Sequence, residues 1–294
     1  VTAAVGPGAG PYSREGGAAD FLRRFVRNRN AVIGSAIVLV VVAAALLAPL
    51  VEPYDYQRTS MLRVWEPPGD LHVLGADGLG RDILSRLIRG ARVSMTIAVS
   101  VLAITLAVGT ALGMLAAWRG GWVDGMVMRA ADMTLAFPEL IIAILIAAVL
   151  GPGTLTVILS LAIVGWPGIA RIARSLVLSL KNELYIDAAV ACGTRPAAIL
   201  FRHCLPNMVA PLIVRASVGV GFVIMSEATL SFLGIGVQEP TPTWGGMIRD
   251  GLVALRTDPH MALASAAALG VTIIGFNLLG DGLRDLLDPR IRDR

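Results

Sequence analysis

Residues 31–51 read AVIGSAIVLVVVAAALLAPLV, 21 consecutive positions without a charge. As a helix this run is about 31 Å long, close to the thickness of a bilayer's hydrocarbon core. Backbone groups in lipid must bond within their own segment, so a lone apolar run of this length is expected to be helical. Working outward, five further apolar stretches fall at about 93–117, 133–151, 154–175, 207–233 and 261–281. The chain is therefore read as an all-α integral membrane protein with six transmembrane helices. Composition agrees: 55% of the 294 residues are hydrophobic and only 16% are charged, against about a quarter charged in soluble domains.

The segments around the spans have their own character. Residues 1–17 are rich in Gly, Ala and Pro and are expected to form a disordered tail. In residues 18–30, Phe21, Leu22, Phe25 and Val26 share one helical face while Arg23, Arg24 and Arg27 point elsewhere. This is the pattern of a helix lying in the membrane interface, or of a simple positively charged flank. The first apolar run is too long for the core of a signal peptide and is expected to be retained. Trp166-Pro167-Gly168 should kink span four. Gly109 with Gly113, and Gly270 with Gly275, are expected to let spans two and six pack closely.

Charge sets the orientation. The net charge of +4 is dispersed along the chain, which is not a nucleic-acid pattern. With the N-terminus inside, the cytoplasmic segments and span ends carry 16 of the 25 basic residues and the outer segments eight, with Arg215 inside span five. Both termini are therefore expected in the cytoplasm. Residues 52–92 oppose this reading with six Arg on the expected extracytoplasmic side, offset by six acidic residues. Cys192 and Cys204 form no metal or redox spacing.

The most patterned polar segment joins spans four and five. It holds Asp187-Ala188-Ala189, Gly193-Thr194-Arg195-Pro196 and His203-Cys204-Leu205-Pro206. Gly193 suits the left-handed position that ends a helix. Thr194 can cap a second helix, with Pro196 where a missing N–H costs little. Pro206 is expected to end that second piece before span five. The prediction is a compact helical knob over residues 184–206.

This segment resembles the cytoplasmic motif of ABC importer permeases: Glu-Ala-Ala, three residues, Gly, nine residues, then Ile, any residue, Leu-Pro. The match covers Ala188, Ala189, Gly193, Leu205 and Pro206 at the family's spacing, with Asp187 in place of Glu and His203 in place of Ile. The stretch His72-Val73-Leu74-Gly75-Ala76-Asp77-Gly78-Leu79-Gly80-Arg81-Asp82 and the stretch Glu227 to Gly234 with Pro240 to Gly245 look like the dipeptide, oligopeptide and nickel permeases, with Ala76 where Thr is usual. The resemblance covers roughly residues 20–290 and is closest to that family's second permease subunit.

The resemblance implies the type I importer fold, with residues 93–294 as the permease core. It also implies a coupling helix docking on an ATPase, where Asp187 would make a polar contact, Ala188 and Ala189 would allow close approach and Gly193 would set the bend. Partners would be a homologous permease, two ATPase subunits that bind ATP and Mg, and an extracytoplasmic substrate-binding protein, all at a bacterial inner membrane. Peptides are the expected cargo, with nickel chelates or haem as alternatives.

The chain has no P-loop: its single lysine, Lys181, follows no glycine-rich turn. No cofactor and no enzymatic activity are expected of it. A self-sufficient carrier or channel is the rival from another class, and it would need a coupled network of intramembrane charges. The charges within spans are few. Glu139, Glu227 and Arg215 are candidates for the translocation path, where a glutamate could meet a peptide amino group, or for pairing and capping inside the bundle.

Overall fold

The computed structural model describes residues 18–287, so the expected tail at 1–17 lies outside the described residues. Every long element is helical. Helix α1 (Ala18–Arg27) stops at Asn28, whose side chain accepts a hydrogen bond from Ala31 N at 3.0 Å and so caps α2 (Arg29–Val51). The Asn28 amide also donates to Asp285 Oδ2 at 3.3 Å, pinning the start of α2 to the end of α11 (His260–Leu287). At Gly34 the two backbones meet: a Cβ there would lie 2.3 Å from Leu279 N.

Helix α3 (Ile83–Arg119) spans 37 residues, starting ten positions before the expected span at 93–117. Three arginines, Arg86, Arg89 and Arg92, lower the apolar signal at its start, yet the helix begins there because Asp82 caps it. The Asp82 carboxylate accepts from Ser85 N at 2.7 Å and Ser85 Oγ at 2.6 Å. At about 55 Å, α3 is longer than the hydrocarbon core and must project from it.

The expected third span at 133–151 is not one helix. It is the corner between α4 (Gly121–Leu135) and α5 (Glu139–Leu150), which meet at 89°. Pro138 causes the break, because proline disfavours helical backbone at the residue before it and has no N–H to donate to the preceding turn. Helix α5 is about 18 Å long and too short to cross alone. Six crossings follow only when the bent pair counts as one, beside five single helices. Helix α6 (Thr154–Leu180) runs unbroken through Pro167.

The second correction concerns Pro206. It does not end a helix. Helix α8 (Pro196–Ile199), a wider five-residue π turn at Leu200–Cys204 and helix α9 (Leu205–Phe232) form one continuous 37-residue rod. In the π turn Leu205 N–H reaches back to Leu200 O, five residues earlier. The widened turn makes room for a ring that carries no N–H.

Two large apolar cores hold the bundle, beside a small one of Ile83, Met247 and Met261. One lies between α3, α5, α6 and α9, around Ile97, Val101, Leu161 and Ile224. The other lies at the end where α3 and α6 finish, around Met114, Val177, Ile186, Ile199 and Met208. Helices α3 and α6 pack closely at Gly113, where a Cβ would sit 2.4 Å from Ala170 O. Gly109 and Gly275 are also packing sites, as expected, but among the described residues nothing lies within 4 Å of a Cβ at Gly270, so it marks no close helix contact there.

Candidate functional site

The knob is built at the end of the bundle marked by the second core. Helix α7 (Leu184–Ala191) buries Ile186, and α8 buries Ile199, both into that core. Its opposite face is open: Asp187, Ala188 and Gly193 are exposed, and Leu184 keeps 85% of its surface accessible. Gly193 adopts φ +73°, as its place after α7 suggested. Thr194 N donates to Ala189 O at 3.1 Å and Gly193 N to Val190 O at 2.9 Å, the paired bonds that close a helix through a left-handed residue. The motif residues Ala189 and Leu205 are half-buried, and Pro206 is exposed on the rod.

Lys181 braces the knob. Its ammonium donates to Ala117 O at 3.2 Å and Trp118 O at 3.3 Å, and lies 5.2 Å from the Trp118 ring centroid. These are among the last carbonyls of α3, which have no partner in their own helix and sit at its negative end. The chain's single lysine thus ties the foot of α3 to the three residues that lead into α7. Nearby, Arg174 grips Asp124 through two 2.5 Å bonds, and Arg171 pairs with Asp132, fastening α4 to α6.

At the opposite end, residues 52–82 fold into a polar knot. Asp77 is buried and accepts from Leu79 N (2.8 Å), Arg81 N (2.9 Å) and Arg81 Nε (2.7 Å). Arg81 and Arg86 converge on Glu239 of the loop after α9, at 2.5 and 2.8 Å. Burial pushes the Glu239 carboxyl up, but the charges of Arg86 and Arg81 outweigh it and hold the group below the usual carboxylate range. His72 Nδ1 sits 2.8 Å from Asp82 Oδ1, its other nitrogen 3.3 Å from Arg63. Gly80 is needed for space as well as for φ +69°: a Cβ there would lie 1.9 Å from Ser60 O. Trp244, opening α10 (Trp244–Gly251), donates to Leu87 O at 3.1 Å and locks this end to α3.

Of the three candidate path residues, Glu139, Arg215 and Glu227, two share a cavity. About 270 Å³ of space between α3, α5, α6 and α9 is lined by Glu139 and Arg215, with Thr105, Gly165, Gly168 and Gly219 on its walls. Glu139 reaches it from the α4–α5 corner. Glu227 stands apart, fully buried, accepting hydrogen bonds from Ser94 Oγ at 2.9 Å and Ser231 Oγ at 2.8 Å. Among the described residues no group of three or more His, Cys, Asp or Glu could hold a metal ion. Sequence reasoning missed the Lys181 brace and the arginine knot. The four-residue spacing of Asp77 and Arg81 was the signal available for the latter.

A multi-helix bundle with a braced knob at one end, a polar knot at the other and a charged cavity between them has the parts of a membrane permease. Comparison places it. Residues 109–293 match the family described as binding-protein-dependent transport system inner membrane component, and residues 18–68 match the N-terminal TM domain of oligopeptide transport permease C. The chain belongs to this family of ABC importer permeases.

Its relatives include three named permeases. The glutathione transport system permease protein GsiD of Pectobacterium atrosepticum is 40% identical, over 93% of this chain and 91% of that protein. The oligopeptide transport system permease protein OppC of Bacillus subtilis is 40% identical, over 93% and 90%. The dipeptide transport system permease protein DppC of Alkalihalophilus pseudofirmus is 37% identical, over 93% and 90%.

Proposed function

We propose that this chain is one of two permease subunits of an ATP-driven importer of peptides, with glutathione, dipeptides and oligopeptides, the cargoes named for its relatives, as the candidate substrates. The knob at 184–206 faces the cytoplasm, as do both termini, and docks on an ATPase subunit. Asp187, Ala188 and Ala189 meet the ATPase, while Gly193, Leu205 and Pro206 shape the knob and its rod. The chain carries no nucleotide site of its own; two ATPase partners bind ATP and Mg. Residues 52–92 lie on the outer side, where a substrate-binding protein delivers cargo, and α1 lies along the cytoplasmic membrane surface. A homologous permease completes the path.

The observation that carries this reading is the knob itself: apolar and anchored within, exposed without, and continuous with the rod of α9. Force applied to such a knob moves helices; force applied to a slack loop would be absorbed. The test is reconstitution of the complete transporter in proteoliposomes. Uptake of glutathione, dialanine or a longer peptide should require both ATP and the binding protein. In a Cys192→Ser background, Ala188→Cys should cross-link to a cysteine placed on the ATPase. Gradient-driven uptake by the purified chain alone, or a knob that cross-links to nothing cytoplasmic, would overturn the proposal.

A further inference from the structure

The cavity between α3, α5, α6 and α9 holds one anion, Glu139, and one cation, Arg215, among its lining residues. Charged side chains inside a membrane protein are costly unless they are paired, capped or wet. Arg215 makes no hydrogen bond or ion pair within 4 Å among the described residues, and Glu139 makes none either. They share a space close enough for their charges to attract, but form no direct ion pair with each other. By contrast, Glu227 on the same α9 rod is sealed by two serine hydroxyls.

The walls beside Arg215 are glycine. Its guanidinium nitrogens lie 3.9 Å from where a Cβ on Gly168 would be and 3.8 Å from one on Gly219. The space around the cation is kept open by residues without side chains. Glu139 is fixed differently. It begins α5 immediately after the Pro138 corner, so the 89° bend delivers it to the cavity at a helix N-terminus, where the helix dipole favours a negative charge.

We propose that Glu139 and Arg215 form a waypoint for a dipolar ligand, Glu139 receiving a free ammonium and Arg215 a free carboxylate. The ligand class is a small zwitterion, such as a dipeptide, or the terminus of a longer peptide in transit. The volume of about 270 Å³ is at the small end for ligand sites, which suits one or two residues at a time. Arg suits a carboxylate because its planar fork can donate two parallel bonds. The proposal rests on the peptide-importer reading, and it assigns to this chain a share of cargo recognition separate from any binding protein.

The experiment measures binding of radiolabelled dialanine to the purified permease–ATPase complex without binding protein. Competitors are unlabelled dialanine, N-acetyl-dialanine and dialanine amide. In the wild-type complex each blocked analogue should compete at least 10-fold less well than dialanine. Glu139→Gln should abolish the penalty for acetylation and keep that for amidation; Arg215→Gln should do the reverse. Arg215→Lys should restore part of the amidation penalty.

Gly168→Leu, which fills the space beside Arg215 without a clash at its Cβ, should lose dialanine binding altogether. A structural role for either charge would lower complex yield or weaken all competitors equally, and that result would overturn the proposal. Unchanged penalties in both variants would overturn it too. Failure of the importer reading is a separate result: no ATP-dependent peptide uptake by the wild-type complex.

Discussion

Lys181 Nζ lies 3.2 Å from the carbonyl oxygen of Ala117, so the chain's only lysine closes the end of a helix 64 residues away. Replacing it by Met keeps most of the apolar stem and removes the charge and the donors. Lys181→Met should cost about 1–2 kcal/mol, seen as a lower thermal midpoint of the purified complex. If the brace stiffens the knob, the peptide imported per ATP hydrolysed should fall further than ATP hydrolysis itself. Lys181→Arg, which keeps charge and donors, should recover most of both.

Gly193 offers a cleaner backbone test. Nothing lies within 4 Å of a Cβ there, so substitution meets no neighbour, only φ +73°. Gly193→Ala should therefore cost about 1–2 kcal/mol, read as weaker retention of the ATPase during purification. Gly193→Asn, which tolerates the left-handed region better, should cost less. Equal losses for Ala and Asn would show that something other than backbone conformation is at work.

The outer knot should respond to acid. Glu239 is held below its ordinary range in the folded protein, so it stabilises the fold fully above its unfolded pKa of about 4.3. That contribution is lost as pH falls through the lower, folded value. Glu239→Gln should flatten the pH dependence of the thermal midpoint over this acid window. At neutral pH it should destabilise the knot, because Arg86, with none of its surface accessible, would keep its charge with only Asp77 nearby.

Glycines separate packing from coincidence. Gly113→Leu must push α3 from α6, since even a Cβ would overlap Ala170 O, and it should cost at least about 1–3 kcal/mol. Gly270→Leu, with open space around it, should change the stability of the single chain by no more than about 0.5 kcal/mol. The readout is the yield of monodisperse protein and its thermal midpoint.

How much of this was written in the residues varies with the interaction. Residues 31–51 declare a span because hydropathy acts locally, and Gly193 declares its turn because glycine takes the left-handed backbone there at no steric cost. The start of α3 was hidden by arginines whose partners, Glu52 and Glu239, lie 37 and 153 residues away. Pro138 and Pro206 look alike in sequence but act oppositely. One turns the chain through a right angle, while the other rides a widened turn that no local pattern reveals. The cavity was half legible: Glu139 and Arg215 could be picked as charges out of place, but only folding shows that they face one space and that Glu227 does not.

The π turn at Leu200–Cys204 has a mechanical consequence. A regular helix is stiff along its whole length, so a shove at Pro196 would arrive undiminished at Phe232, about 55 Å away. The five residues of the wider turn interrupt that regularity close to one end of the rod while leaving it continuous. Under the proposed docking, a bend at this turn would tilt the long arm relative to the short one, so that a push at one end emerges as a change of angle at the other.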